Sequence, residues 1–414
     1  MCFSYLLTLF IKVMRPLLIQ WNCRGLLANY DDITDLLEEH SPFTMCLQET
    51  HLKGSHSNIL KHFQWFRRDR LQSNHPSGGS AVVVQRSVPC SEVTLNTALE
   101  AVATRILLDR IITVCSVYIP PNYQLKYEEL EVLCNQLPPP FVLVGDFNAH
   151  NPLWGSSRKD TRGALIERFL LSTGLCLQNS TAATHFSSST RTFTSIDLSV
   201  VHPTLFPLLS WRVIPNPYGS DHFPIVLDFL NPPVTLPVRS PRWRFDKADW
   251  AVFEQTSLLA ISSLHQLSVD RATEHITKHI LEAALLAIPM TSARLPKRPK
   301  PWWNEDCQEA KKKQNKAWGI FRRYPTQRNL LAFKQMKSRG RYIRRQSKRH
   351  SWEQYTSSIN SWATAKEVWD QVHKIDGSYR AFTLPLLSKN GICPESLEEQ
   401  TASNNGVPFV VRAV

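Results

Sequence analysis

Polar side chains stand next to apolar runs of strand length at several points in the first 230 residues. Six of them follow or precede such a run directly: Asn22, Glu49, Asp146, Asn148, Asp221 and His222. If the strand ends meet at one rim of a sheet, these groups converge, and hard oxygen ligands such as Glu49 suit Mg²⁺ better than zinc. A histidine beside carboxylates, such as His222, suits charge stabilisation. Each residue alone is typical of a solvated or capping position, but together they predict an active site.

The elements that must position these groups alternate along the first part of the chain. Seven runs have strand length and β-branched enrichment: Leu17–Trp21, Phe43–Leu47, Ala81–Gln85, Ile111–Ile119, Phe141–Val144, Ile196–Val201 and Phe223–Phe229. Three stretches have apolar residues at helical spacing: Asp31–His40, Tyr127–Leu137 and Gly163–Ser172. This interleaving predicts an α/β fold of two packed β-sheets flanked by helices, a four-layer sandwich.

The composition excludes several classes of protein. The 414 residues are 43% hydrophobic and 20% charged, which argues against disorder and against a membrane-embedded chain. The nine cysteines include no CxxC pair and no zinc spacing, so we expect buried thiols in a reducing compartment. The apolar run at residues 2–11 lacks the basic start and cleavage site of a secretory signal. We therefore expect a protein of the nucleus and cytoplasm without membrane contact.

The basic excess lies in the second part of the chain. Residues 1–235 carry a net charge of −1, whereas residues 236–414 carry +14. Residues 311–350 contain 15 Lys and Arg, no acidic residue and five aromatic residues, which predicts a long basic helical segment. Asp270 is predicted to cap a further helix that ends near Ile288.

These patterns predict five segments. The prolines within residues 231–241 indicate a linker that cannot be helical. The predicted segments are an N-terminal extension over 1–14, an α/β domain over 15–230, the proline-rich linker over 231–241, a mainly helical basic region over 242–377 and a tail over 378–414.

Seven motifs, in this order, resemble those of the endonuclease/exonuclease/phosphatase superfamily: WNCRGL, LQET, GGSAVVV, SVYIPPN, GDFNAH, SIDLSV and SDHFPI. The resemblance covers about residues 15–230. NCRGL with GDFNAHNPLWG and a downstream KPWWNEDC is similar to the endonuclease half of Jockey-like non-LTR retrotransposon polyproteins, and that likeness extends to about Gly377. It implies a phosphodiester hydrolase that nicks DNA for target-primed retrotransposition and uses Mg²⁺, with Mn²⁺ as a substitute.

The resemblance also implies a metal-binding set. Glu49 matches the position of the principal Mg²⁺ ligand, and Asn22 matches the position beside it. Asp221 matches a position at the edge of the metal site. No residues for an organic cofactor are implied.

Five further residues match catalytic positions of the family. The resemblance makes Asp146 the group that orients and deprotonates the attacking water, with help from Asn148. It makes His222 the partner of the phosphate oxygens, held in one tautomer by Asp197. Tyr118 is expected to contact the phosphate.

Two departures from related patterns bear on the alternatives. Arg24 stands where apurinic-site repair members usually carry Asp, and TSIDLSV around Asp197 replaces the WCDRIL-like motif of phosphoinositide phosphatases. Two alternatives stay open: another hydrolase of the superfamily, such as an apurinic-site endonuclease or a phosphatase, and a catalytically silent nucleic-acid-binding remnant. The polymerase pattern of aromatic, any residue, Asp, Asp is absent, so we expect the polymerase part to be missing.

The cation density of residues 311–350 favours contact with nucleic acid, since neutralised phosphates release counterions and aromatic side chains can stack on bases. We expect DNA as the main partner, and element RNA as a second partner of this segment. The alternative is a solvated helix that serves solubility. The sequence leaves the oligomeric state open.

Overall fold

The computed structural model describes residues 17–54, 56, 60, 63–70, 77–187, 189–230, 243–258, 268–290, 300–359 and 364–376. The predicted N-terminal extension, proline-rich linker and tail lie outside these residues. The described residues fall into two compact units. One unit holds 243–258 and 268–290, and the other holds the described residues of 17–230 and 300–376.

The strands are β1 Leu17–Asn22, β2 Thr44–Gln48, β3 Phe63–Arg68, β4 Ser80–Gln85, β5 Cys90–Val93, β6 Glu100–Leu107, β7 Ile111–Tyr118, β8 Phe141–Asp146, β9 Cys176–Leu177, β10 His185–Ser187, β11 Thr192–Thr194, β12 Asp197–Val201, β13 Leu209–Val213 and β14 Ile225–Phe229. The helices are α1 Tyr30–His40, α2 Tyr127–Asn135, α3 Thr161–Thr173, α4 Trp250–Ser257, α5 Val269–Ala287, α6 Glu305–Arg323, α7 Gln327–Ser358 and α8 Ala365–Asp376.

Two six-stranded sheets form the centre of the larger unit. Their strand orders are β13-β14-β1-β2-β4-β3 and β5-β6-β7-β8-β12-β9. Each sheet has one parallel pair at its middle, β1 with β2 and β7 with β8, and antiparallel neighbours outside it. Helix α1 packs its apolar face on the first sheet, while α2 and α3 pack on the second. The predicted fold class, two packed sheets flanked by helices with a helical C-terminal region, is confirmed.

A layer of buried polar side chains joins the two sheets. Gln20 on β1 donates to the Gly145 carbonyl on β8 at 2.8 Å, and Gln48 on β2 donates to Ser116 on β7 at 2.8 Å. Both glutamines are fully buried. A Cβ at residue 145 would lie 1.9 Å from the Val117 carbonyl oxygen, so only glycine allows this approach next to Asp146.

One helical prediction needs correction. Helix α5 begins at Val269 with Ser268 as its N-cap, so Asp270 lies in the first turn and is not the cap. A carboxylate there still complements the helix dipole. The predicted helical character of the basic segment is confirmed, and the segment consists of two helices, since α6 ends at Arg323 and α7 begins at Gln327. Pro325 between them lacks the N–H that a continuous helix needs.

In the smaller unit, α4 and α5 pack around Ala284, Ala287 and Ile288. Asp249 caps α4 by accepting a hydrogen bond from the Val252 N–H at 3.1 Å. Among the described helices of the whole chain, none is both long and apolar enough to cross a membrane.

Candidate active site

The sheet topology brings the predicted polar residues to one rim. Because β7 and β8 are parallel, Tyr118 and Asp146 lie at the same end and face each other in register. Strand β12 runs antiparallel to β8, so its first residue, Asp197, also pairs with Asp146. In the other sheet, parallel β1 and β2 end at Asn22 and just before Glu49.

The side-chain amide of Asn22 lies between two carboxylates. Its Nδ2 donates to Glu49 Oε1 at 2.9 Å and to Asp146 Oδ2 at 2.8 Å. Asn22 is fully buried and Asp146 is 1% exposed. One amide therefore joins the ends of the two sheets and fixes the distance between Glu49 and Asp146.

Asn148 fixes the Asp146 carboxylate from the other side. The Asn148 backbone N–H donates to Asp146 Oδ1 at 3.0 Å, and its side-chain amide donates to Oδ2 at 3.0 Å. This geometry requires a positive φ of 48° at Asn148, a conformation that asparagine tolerates better than most residues. A residue held away from its preferred backbone region is typical of functional sites.

His222 and Asp197 form a buried pair. Nδ1 of His222 donates to Asp197 Oδ2 at 2.9 Å, and Nε2 lies 3.9 Å from Asp146 Oδ2. Burial alone would lower the pKa of His222, but the carboxylates of Asp197 and Asp146 outweigh it and raise the pKa to about 10. His222 is therefore a cation at neutral pH, with Nε2 directed towards the rim.

The two carboxylates that Asn22 joins differ in their acid strength. Burial raises the pKa of Asp146, the His222 cation opposes that shift, and the nearby Asp197 and Glu49 carboxylates add to it. Burial also acts to raise the pKa of Glu49, but hydrogen bonds from His51 and Asn22 overcome it and lower the pKa to about 2. Glu49 is thus a permanent anion, whereas Asp146 is a stronger base, as a proton acceptor should be.

Tyr118 lies beside this cluster. Burial, followed by the charges of Glu49 and Asp146, raises the pKa of its hydroxyl well above the usual range. The phenol therefore keeps its proton and can only donate to an anion. The guanidinium of Arg70, which is paired with Glu100, lies 5.8 Å from the centre of the Tyr118 ring.

Asp221 departs from the other predicted metal-site residues, because it forms an ion pair with Arg24. The sequence did identify Arg24 as a departure from the repair enzymes, but it did not reveal this partner. In the structure, any cation at Asp221 would compete with the Arg24 guanidinium.

His185 and His51 were missed by the sequence reasoning. The His185 ring lies 4.5 Å from the His222 ring, centre to centre, and its Nε2 is 3.9 Å from Asp221 Oδ2. His51 Nε2 is 3.3 Å from Glu49 Oε2. His185 is on the short strand β10 with no local signal, whereas the position of His51 directly after LQET could have indicated it.

Two groups of ligand atoms in the described residues lie close enough to hold a metal ion. One comprises Asp146, Asp197 and His222, and the other comprises His185, Asp221 and His222. Neither group includes Glu49, the ligand that the sequence resemblance implies. In the first group the His222–Asp197 hydrogen bond already occupies the nitrogen and carboxylate, so that pair fits an orienting role better than metal binding.

Comparisons with known proteins show what this rim is similar to. The family described as "Endonuclease-reverse transcriptase" matches residues 112–226, the stretch that carries Tyr118, Asp146, Asn148, Asp197 and His222. The chain is 25% identical over 281 residues to the RNA-directed DNA polymerase from mobile element jockey of Drosophila melanogaster. It is 24% identical over 283 residues to the probable RNA-directed DNA polymerase from transposon X-element of the same organism. Residues 112–226 thus match this family, and about two thirds of the chain is similar to the Jockey-like proteins.

The Jockey-like relatives are much longer proteins. The two matches cover 65% and 66% of this chain but only 30% and 31% of those proteins. Among solved structures, the endonuclease domain of TRAS1, a telomere-specific non-LTR retrotransposon, is 21% identical, with 52% of this chain and 98% of that chain covered and a TM-score of 0.45. An AP endonuclease from Leishmania major is 15% identical, with 54% and 90% covered and a TM-score of 0.45.

Proposed function

We propose that the Jockey-like domain of this chain is a Mg²⁺-dependent endonuclease that nicks DNA for target-primed retrotransposition. The observation that carries the proposal is the meeting of a buried cationic histidine, an oriented basic carboxylate and a permanent anion at one rim. His222 Nε2 and Asp146 Oδ2 are 3.9 Å apart, and Asn22 connects Asp146 to Glu49. This arrangement fits hydrolysis of a phosphodiester, which needs a base for water and positive charge for the phosphate oxygens.

In this mechanism Asp146 accepts the proton of the attacking water, since its pKa is raised and Asn148 fixes both of its oxygens. His222 donates through Nε2 to a phosphate oxygen, while Asp197 holds the ring in place. Tyr118, which keeps its proton, donates to a second phosphate oxygen. Water attacks phosphorus while its bond to the 3′ oxygen breaks, and that oxygen takes a proton from solvent. The product is a 3′-hydroxyl, the end that target-primed synthesis extends.

The residues at the rim fit a divalent metal through the chemistry of their donor set. Glu49 is ionised, offers hard oxygens and lies next to the Asn22 amide at 2.9 Å. Burial, and after it the charges of Asp197 and Glu49, raise the pKa of Asp146, and a bound cation would relieve the repulsion between these carboxylates. We assign metal binding to Glu49 and Asn22. Asp221 would lie at the edge of this site and could contact the metal after its ion pair with Arg24 breaks. When bound, Mg²⁺ would supply positive charge to the phosphate and to the leaving oxygen.

The basic segment supports nucleic acid as the substrate, but with fewer cations than the sequence suggested. Eight of its 15 Lys and Arg are exposed and form no ion pair in the described part of the chain: Lys312, Lys316, Arg322, Arg323, Arg328, Lys334, Arg339 and Arg345. The other seven have partners on the α/β domain or on their own helix. We assign DNA contact to exposed members of this set and propose element RNA as a second partner.

A nuclear as well as a cytoplasmic location remains our proposal. Residues 344–349 form a cationic run of the kind that can direct nuclear import. In the structure this run is helical, and Arg344 within it is only 4% exposed. Lys348 of the same run pairs with Asp31 at 2.6 Å. Nuclear import through this run would therefore depend on Arg345 and Arg349.

A nicking assay on the purified chain tests the proposal against its alternatives. Supercoiled plasmid, duplex carrying an abasic site and a phosphoinositide are incubated with the protein, with and without Mg²⁺. We expect Mg²⁺-dependent nicking of intact plasmid, which Glu49→Ala abolishes. Preference for the abasic duplex or release of phosphate would select another hydrolase of the superfamily, and DNA binding without turnover would select the silent remnant.

A further inference from the structure

The helical pair α6–α7, residues 305–358, packs on the α/β domain next to the active site. Trp318, Phe321, Leu330 and Phe333 of the pair form one buried cluster with Phe186 and Phe223 of the domain. Phe223 directly follows His222, and its ring lies 5.7 Å from that of Trp318, centre to centre. Phe321 is fully buried, so this face of the pair belongs to the core of the larger unit.

Charge pairing fixes the same two helices to α1. Lys311 on α6 lies 2.5 Å from Asp35, and Lys348 on α7 lies 2.6 Å from Asp31. Lys300, just before α6, lies 2.7 Å from Asp35. The acidic face of α1 and part of the basic segment therefore neutralise each other.

Two side chains of the pair bind the loop that carries Asp221 and His222, residues 214–222. The indole N–H of Trp318 donates to the Pro215 carbonyl at 2.7 Å, and the ammonium of Lys337 donates to the Gly219 carbonyl. Tyr218 and Gly219 have φ values of 45° and 91°. A loop held in this left-handed region by outside contacts is costly to keep in place without them.

Hydrogen bonds of the loop connect its position to that of the active-site residues. Ser220 donates to the Asn22 carbonyl at 2.8 Å and accepts from the His222 N–H at 3.2 Å. Helix α7 also contacts the segment after β1. Its Arg341 donates to Asn29 Oδ1 at 2.8 Å, and Asn29 in turn donates to the Cys23 carbonyl at 2.7 Å. The loop that carries His222 and the segment after β1 that begins at Asn22 thus both contact α7 or residues that α7 binds.

We propose that Trp318 and Lys337 are positioning residues of the nuclease site, which act by holding the loop that carries His222. The inference rests on the proposed function for its catalytic consequence, but the loop contact itself can be measured without activity. It assigns the helices after the α/β domain a role in catalysis besides DNA contact. A displacement of His222 by about 1 Å would be enough to lower turnover by roughly 10²-fold.

The test uses the full chain with Lys337→Met, which removes the donor and keeps the apolar bulk, and with Trp318→Phe, which removes the indole donor and keeps an aromatic ring. The matched control is Lys313→Met, which removes the same charge from an exposed lysine whose one ion-pair partner among the described residues is Glu309 of its own helix, at 3.0 Å. Hydrogen exchange followed by mass spectrometry reports on the amides of residues 215–223, among them those of Ser220 and His222. Single-turnover nicking at saturating Mg²⁺ and over a range of DNA concentrations reports on the chemical step and on KM for DNA.

We expect both variants to exchange faster in residues 215–223 and to nick at least about tenfold more slowly, with KM for DNA within about twofold of the parent. The control should match the parent in both measurements. Unchanged exchange would overturn the contact, and faster exchange with unchanged turnover would overturn its catalytic role. A rise in KM alone for Lys337→Met would make this lysine a DNA contact and also overturn the proposal. If the parent protects the loop but nicks no DNA, the proposed function fails and the assignment of a catalytic role fails with it, whereas the measured loop contact stands.

Discussion

The pairing of His222 with Asp197 makes a quantitative prediction for Asp197→Asn. Asp197 is the largest of the influences that raise the pKa of His222 from 6.5 to about 10. If its loss returns His222 to about 6.5, the cationic fraction at pH 8 falls from nearly all to about 3%. The variant should then nick about 30-fold more slowly than the parent at pH 8. At pH 6, where about three quarters of His222 is still protonated, the difference should shrink to less than about twofold.

The direction of the shift in the pH–rate profile follows from the protonation state in which each group is active. A raised pKa keeps His222 cationic up to high pH, and losing the carboxylate brings the alkaline limb of the pH–rate profile to lower pH. The raised pKa of Asp146 sets the acid limb, because the base must be deprotonated. Dividing the rate of the variant by the rate of the parent at each pH removes most of the effect of the Asp146 titration.

The assay is single-turnover nicking of a defined duplex between pH 6 and pH 8.5, at saturating Mg²⁺ and fixed ionic strength. An equal loss at every pH would refute the electrostatic account and leave only orientation of the ring. Because His222 and Asp197 should act as one unit, the double substitution Asp197→Asn with His222→Gln should cost little more than His222→Gln alone. Full additivity would show that they act separately.

Three further predictions concern the metal, the base and the basic helices. Glu49→Ala should abolish nicking while the thermal unfolding midpoint stays close to that of the parent. EDTA should abolish nicking by the parent in the same way. Residual Mg²⁺-dependent nicking by the variant would end the metal assignment. Asp146→Asn should lower turnover by roughly 10² to 10⁴-fold with DNA affinity kept or raised, as measured by fluorescence anisotropy, and a parallel loss of affinity would contradict its role as base. Replacing the exposed Arg322, Arg323 and Arg328 by Gln should reduce the slope of log affinity against log salt by about 3 on duplex DNA, whereas an unchanged slope would exclude these side chains from the DNA interface.

The sequence predicted the central strands and the helices of the α/β domain because their apolar patterns are strong. The strand predicted at Ile111–Ile119 is observed at Ile111–Tyr118, and the helix predicted at Asp31–His40 is observed at Tyr30–His40. Strand β6 was missed because its β-branched Val102, Thr104 and Ile106 alternate with alanine and arginine, so that Thr104 and Arg105 interrupt the apolar run. Its place between β5 and β7 in the sheet stabilises it, and pairing of this kind is not visible in a local window.

The candidate site was predictable in its residues but not in its partners. Asn22, Glu49 and Asp146 stand out because each comes at or just after the end of an apolar run. The pairing of Asp221 with Arg24 and the place of His185 beside His222 depend on the fold, because the residues are far apart in the chain. No local pattern encodes such contacts.

The basic segment shows the same limit. Its charge predicted a nucleic-acid surface, but the acidic partners of Lys311 and Lys348 are on α1, more than 250 residues earlier in the chain. Phe321 and Phe333 were candidates for base stacking and are buried against the domain instead. Charge counting therefore overestimated the number of cations that are free to bind phosphate.

The most direct test of the central claim is nicking in water enriched in ¹⁸O, with the ends of the cut strand analysed by mass spectrometry. If Asp146 activates water at this rim, the parent should leave a 3′-hydroxyl and a 5′-phosphate that carries one ¹⁸O, and Asp146→Asn should form this product at least about 10²-fold more slowly. A cut without ¹⁸O in the 5′-phosphate, or equal rates for parent and variant, would contradict the account.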